Sequence, residues 1–260
     1  MLKKIYNWSS SWTGTIVIVL TIIFFVAQAF VIPSGSMKNT LLIGDMLFVK
    51  KFSYGVPTPT IPWIEVKVLP DFKGNGHLIE GERPKRGDIV VFRYPHNPDI
   101  HYVKRAVAIS GDTIFLKNKI LYLHPKEGND FVKTEFKDYE TIDLNGKLFV
   151  VSPYEKEHKG IHNDQNVTRN LVAPKELFDM QEIVIPEDET FMMGDNRDHS
   201  NDSRFWGSVP YKYIVGKPWF IYFSWDDDYK IRWDRVFRTV ESLEKDIDTT
   251  AEIKHEEGIY

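Results

Sequence analysis

From Thr13 to Ile32 the chain runs TGTIVIVLTIIFFVAQAFVI, twenty residues without a charge. As a helix this stretch would be about 30 Å long, the thickness of one hydrocarbon core. A lone segment in lipid can satisfy its backbone only as a helix, so its many β-branched residues do not count against that reading. Lys3 and Lys4 precede it, and Trp8 and Trp12 stand where an interfacial aromatic belt would lie. The pattern predicts a short cytoplasmic tail over 1–12, a transmembrane signal anchor over 13–32, and the rest of the chain outside the cytoplasm. The alternative is a secretory signal cut after Ala27-Gln28-Ala29. The apolar run continues through Phe30, Val31 and Ile32 beyond that point, which favours the uncut anchor.

After residue 33 the period shortens to two. Strands are expected over Met46–Val49, over Asp88–Tyr94 up to Pro95, over His101–Ile109 up to Ser110-Gly111-Asp112, and over the aromatic run Lys217–Trp225. Lys117-Asn118-Lys119 and Asn145-Gly146 each separate two apolar runs as a hairpin turn does. Glu182–Pro186 and Phe191–Met193 read as strands around a turn. Five prolines (57, 59, 62, 70 and 84) make 53–85 a long irregular loop. Residues 124–182 are more polar and less regular, and a variable insertion or small β subdomain is expected within about 113–186. The expected architecture is mainly β: an antiparallel catalytic domain over 33–240, then a charged, frayed or weakly helical tail over 241–260.

Composition narrows the possible functions. The 260 residues are 42 % hydrophobic and 27 % charged with a net charge of −4, which excludes wholesale disorder and argues against a general nucleic-acid binder. There is no cysteine, so disulfides, thiolate metal sites and cysteine nucleophiles are excluded. A calcium loop starting at Asp198 fails, because Ser203 stands at its glycine position and Val209 where the bidentate glutamate belongs.

Two segments carry candidate chemistry. Pro33-Ser34-Gly35-Ser36-Met37 follows the apolar run directly, and Ser36 lies four residues past Ile32, at most about 14 Å of chain. Such a stretch is ordinarily a flexible juxtamembrane linker. It becomes a nucleophile only with a base, and the choices are a histidine, such as His101 or His199, or a neutral lysine. At an unperturbed pKa about one lysine in 2,500 is neutral at pH 7, so a lysine base must be buried among apolar neighbours. Lys104 fits best: alternation along 101–109 sets it on a face with Tyr102, Ala106 and Ala108, and Arg105 on the other with Val103 and Val107. An edge lysine that discourages aggregation is the plain alternative. The second segment, 194–204 (GDNRDHSNDSR), holds more polar groups than a turn requires.

In order, the apolar segment, PSGSM with TLLIGD, RGDIVVFRYP, YVKRAVAISGD, and GDNRDHSNDSRFWG with VP resemble the bacterial type I signal peptidases. The resemblance implies a cofactor-free, metal-free serine–lysine dyad protease on a mostly antiparallel β fold, with Ser36 as nucleophile and Lys104 as general base. It further implies Ser34 as an oxyanion donor, Ser200 as a partner of the lysine, and Arg105, Asp195, Asp202 and Arg204 as bracing ion pairs. Phe30, Ile32, Met37, Leu41 and Val103 match positions lining shallow pockets for small side chains. The implied partners are signal peptides of exported preproteins, cut after small-x-small motifs, with the lipid bilayer and the neighbourhood of the secretion translocon. A specialised peptidase of one secretion or conjugation system, a non-catalytic envelope protein and a soluble Ser/His/Asp hydrolase remain alternatives. Two departures concern loops: Asn39 where the family often has proline, and Ala108-Ile109-Ser110 for Gly-Leu-Pro.

Overall fold

The computed structural model describes residues 2–21, 27–60, 68–170 and 172–247. Helices α1 (Leu2–Ser9) and α2 (Trp12–Thr21) come first. Then follow β1 (Ala27–Val31), β2 (Asp45–Lys50), β3 (Gly55–Pro57), β4 (His77–Glu80), β5 (Ile89–Tyr94) and β6 (Asn97–Ile109). Next are β7 (Thr113–Lys117), β8 (Ile120–His124), α3 (Asn129–Glu135), β9 (Thr141–Leu144), β10 (Lys147–Val151) and β11 (Met180–Val184). The chain continues through β12 (Glu189–Met193), α4 (Ser203–Trp206), β13 (Val209–Pro210), β14 (Ile214–Ser224) and α5 (Val240–Lys245).

The mainly antiparallel β architecture is as expected. One seven-stranded sheet has the order β1-β2-β14-β5-β6-β12-β13, and a five-stranded sheet has the order β11-β7-β8-β10-β9. Both expected hairpins form, with Asn118, Lys119 and Asn145 at positive φ as tight turns between strands require. β11 and β12 flank the expected turn at 186–188 yet enter different sheets, so that turn carries the chain from one sheet to the other.

The expected helix over 13–32 is corrected. Residues 22–26 lie outside the described residues, and Ala27–Val31 pairs antiparallel with β2, from Ala27↔Lys50 to Val31↔Met46. No helix among the described residues is long and apolar enough to cross a membrane; α2 has ten residues. Part of the end of the apolar run serves the protein interior, while Val31 stays exposed. Ile32 is buried and Phe30 packs on the core cluster of Met37, Leu41, Leu47, Val49 and Ile221. A strand lining its own core and a helix facing lipid are equally uncharged, so hydropathy cannot separate them.

A smaller correction concerns residues 53–85. The loop 53–85 contains the two-stranded β3–β4 sheet, where Tyr211 Oη donates to Tyr54 O and accepts from Gly81 N. The start of the charged tail is helical, one of the two states expected of it. Thr239 caps the N-terminus of α5, its side chain accepting from Ser242 N, and Val240 and Leu243 are buried in the same cluster as Ile32, Met37 and Leu41. Residues 248–260 of the expected tail lie outside the described residues.

Candidate active site

Lys104 enters the interior because β6 is flanked on both sides. It pairs with β5, where Lys104 stands opposite Val90, and with β12, where Arg105 stands opposite Met193. Alternation places Tyr102 and Ala106 in one buried cluster, as expected. Ala108 departs from it: the β6–β12 register slips between Ala106 and Ala108, and Ala108 joins Val107 in the cluster beneath the five-stranded sheet.

Ser36 lies in a single 3₁₀ turn, Gly35–Met37, within the connection from β1 to β2. The turn is clamped by the polar segment after β12. Asn196 N donates to Ser36 O at 3.1 Å, and Asn196 Nδ2 donates to Gly35 O at 3.1 Å. A Cβ on Gly194 would lie 2.5 Å from Ser36 O and 2.3 Å from Ser200 Oγ, so only glycine allows this approach. Asn39 follows at φ +76°, which a proline ring cannot adopt, so the departure from the family pattern belongs to this particular turn.

The two candidate groups meet. Lys104 Nζ is 2.6 Å from Ser36 Oγ and 3.2 Å from Val103 O, with Lys104 4 % and Ser36 8 % exposed. Burial pushes the amine pKa down from 10.5 to about 8, against the opposing pull of Asp202 and Asp195 and with a smaller push from Arg204. At pH 7 this raises the neutral fraction from about one in 3,000 to about one in ten. The Tyr102 ring lies 5.1 Å from Nζ.

The expected bracing pairs are present. Arg105 Nε and Nη2 grip Asp195 at 2.7 and 2.6 Å, and Arg105 Nη1 donates to Gly87 O at 2.7 Å. Asp195 also accepts from Thr40 Oγ1 at 2.6 Å. Burial works against the Asp195 carboxylate, and Arg105 more than offsets it, so its pKa falls below the usual range. Arg204 holds Asp202 at 2.8 and 2.9 Å, and Asp202 accepts from Gly194 N at 3.0 Å. The Asp202–Arg204 pair thus holds the glycine against which the serine turn packs.

The remaining expected residues are placed less uniformly. Ser34 is exposed, with its Oγ 3.4 Å from Ser36 Oγ. Ser200 Oγ is buried close to Asp202 without reaching full hydrogen-bond geometry, and among the described residues it makes no bond to Lys104. A cleft of about 720 Å³ opens over the dyad, and Phe30, Ile32, Met37 and Val103 line it. Leu41 does not; it is fully buried beneath them. Gln28 to Ser34 line the cleft without a break, so the backbone of the edge strand β1 contributes as well as its side chains. His199 also lines it, paired with Asp164 at 3.0 Å.

A family model described as signal peptidase, peptidase S26, matches residues 5–225. The chain belongs to this family. Signal peptidase I of Helicobacter pylori (strain J99) is 51 % identical over 94 % of this chain and 96 % of its own length. Signal peptidase I of Pseudomonas aeruginosa is 35 % identical over 85 % of this chain and 73 % of its own length. A crystal structure of a signal peptidase I from Enterococcus faecalis V583 aligns over 52 % of this chain and 97 % of that one, at 22 % identity and a TM-score of 0.32.

In this member of the signal peptidase family, several residues of the site carry no signal in the sequence alone. Asn196 and Gly194 sit inside the polar motif but are distinguished only by the clamp they make. Thr40 and Glu244 reach Asp195 and Arg105 from segments that read as a turn and a tail. Among the described residues no group of three or more His, Asp or Glu is gathered as metal ligands.

Proposed function

We propose that this protein is a membrane-bound serine endopeptidase that removes signal peptides from exported preproteins after small-x-small motifs, with Ser36 as nucleophile and neutral Lys104 as general base. The carrying observation is the 2.6 Å contact between a buried amine and a serine hydroxyl at the floor of a cleft. With the amine neutral, the Ser36 hydroxyl donates to its lone pair. The proton moves to Nζ as Oγ attacks the peptide carbonyl. The ammonium then gives that proton to the leaving amine as the C–N bond breaks. Deprotonation of a water by the same amine begins hydrolysis of the acyl-enzyme ester. Ser34 Oγ and the Ser36 amide stand beside the attacking atom and suit the developing oxyanion, where one such donor is worth about 3–4 kcal/mol in other serine proteases.

The cleft suits an extended peptide. The edge strand β1 offers backbone along it, and Phe30, Ile32, Met37 and Val103 offer apolar walls that favour small side chains. The uncharged residues 13–26, behind Lys3, Lys4, Trp8 and Trp12, support attachment to the plasma membrane with the β sheets on the extracytoplasmic face. In that arrangement Ser36 works close to the bilayer from which signal peptides emerge.

The test uses detergent-purified full-length protein and a preprotein with a small-x-small site. Ser36→Ala should lower cleavage by a factor on the order of 10⁴ or more. His199→Ala, which removes the cleft-lining histidine paired with Asp164, should retain most activity; loss there with an active Lys104→Ala would mean a histidine base. In wild type, kcat/KM should rise with pH through a midpoint near the Lys104 value of about 8, because only the deprotonated amine accepts the serine proton. A profile flat from pH 6 to 10 would contradict the lysine base.

A further inference from the structure

We infer that Glu244 of the C-terminal helix α5 is a positioning residue for the Ser36–Lys104 pair, acting through Arg105. This rests on the dyad reading above. Arg105 follows Lys104 on β6, and its guanidinium is fully buried. Nη2 donates to Asp195 at 2.6 Å and also to Glu244 Oε1 at 2.6 Å. Asp195 is the carboxylate that holds Thr40 by its hydroxyl, and its own amide points at Met37 Sδ at 3.4 Å. One continuous set of polar contacts therefore runs from α5 through β6 to the serine turn.

The carboxylate of Glu244 is itself held in place. His158 Nδ1 lies 3.0 Å from the same Oε1, and Glu244 is largely shielded from solvent. His158 comes this close because Gly87 stands opposite at φ +87°, where an added Cβ would lie 3.0 Å from Nε2. Gly87 in turn takes the third Arg105 bond through its carbonyl. Beneath these contacts Val240 and Leu243 pack in the cluster that contains Met37 and Leu41, so α5 supports the rear of the serine turn by apolar contact as well. A helix docked only for stability would need those two residues. The charged third one is aimed at the residue next to the candidate base.

Glu244 touches no reacting atom, and its effect is on geometry. Displacement of catalytic groups by about 1 Å can cost on the order of 100-fold in rate. The experiment compares Glu244→Ala, Glu244→Gln and Arg238→Ala in the full chain, with the same preprotein and detergent. Glu244→Ala should lower kcat by roughly tenfold or more with KM within about twofold of wild type. Glu244→Gln keeps an oxygen that accepts from Arg105 and should recover a large part of that loss. Arg238→Ala removes the ion pair to Asp246 just beyond the same helix, 2.5 Å, and should lower the melting temperature without lowering kcat. The folded fraction of each variant at the assay temperature is measured by circular dichroism, so that loss of protein is not read as loss of rate. Wild-type kcat in Glu244→Ala would overturn the inference, as would an equal fall in Arg238→Ala. Wild-type protein that leaves the preprotein uncut would instead overturn the dyad reading.

Discussion

Replacing Lys104 with methionine is expected to abolish cleavage and to stabilise the fold at neutral pH. Loss of the proposed base should reduce kcat by a factor on the order of 10⁴ or more, since a nucleophile and its base act as a unit. The stability effect follows from the same displaced pKa. In the folded protein the amine gives up its proton at about pH 8; in the unfolded chain it does so near 10.5. Between these values the unfolded state binds a proton that the native state lacks, so stability rises with pH across the window, by about 3 kcal/mol in total. At pH 7 both states are protonated and the full cost is present. Methionine has similar length and no charge, so its advantage over wild type should be greatest at pH 7 and fade towards pH 10.5. Urea melts of both proteins at pH 7 and 10 measure this difference directly. A methionine variant less stable than wild type at pH 7 would contradict the buried, destabilised amine.

The second large effect is expected at Arg105. Arg105→Ala leaves Asp195 fully buried without its partner, and removing one member of a buried pair costs about 3–5 kcal/mol. That is a large share of the roughly 5–15 kcal/mol that holds a typical domain together. Thermal melts should show Arg105→Ala well below wild type, with Asp195→Asn also lowered. The double variant should cost less than the two singles added, because neither charge is then stranded. Full additivity would mean that the two side chains contribute independently. Cleavage by Arg105→Ala, measured where it remains folded, should also fall, since Asp195 N and Thr40 lose the geometry that holds the serine turn.

These sites differ in how visible they are in the sequence. Ser36 and Lys104 are singled out in the sequence by the ordered motifs that resemble the family; alone, Ser-Gly-Ser reads as a linker and Lys104 as an edge lysine, and the structure adds that their side chains meet. The β6 strand and both hairpins are legible from alternation and turn residues. The bulge that removes Ala108 from the face of Lys104 is not, because it depends on the register against β12, a strand that comes much later in the chain. Leu41 sits deeper than the pocket it was expected to line, since its place is set by core packing beneath Met37. Glu244 is hidden for a different reason. In a run such as ESLEKD one carboxylate looks like another, and only the docked helix shows which one turns inward.

The pairing of Ala27–Val31 with β2 also sets where this protein can be shortened. A fragment begun at Pro33, the natural choice if everything before it were a lipid anchor, would lose the outer strand of the sheet and strip one bank from the cleft over Ser36 and Lys104. It would expose the hydrogen-bonding edge of β2 and leave Met37 and Leu47 without Ile32 above them. A shortened form intended to keep this cleft intact has to begin before Ala27.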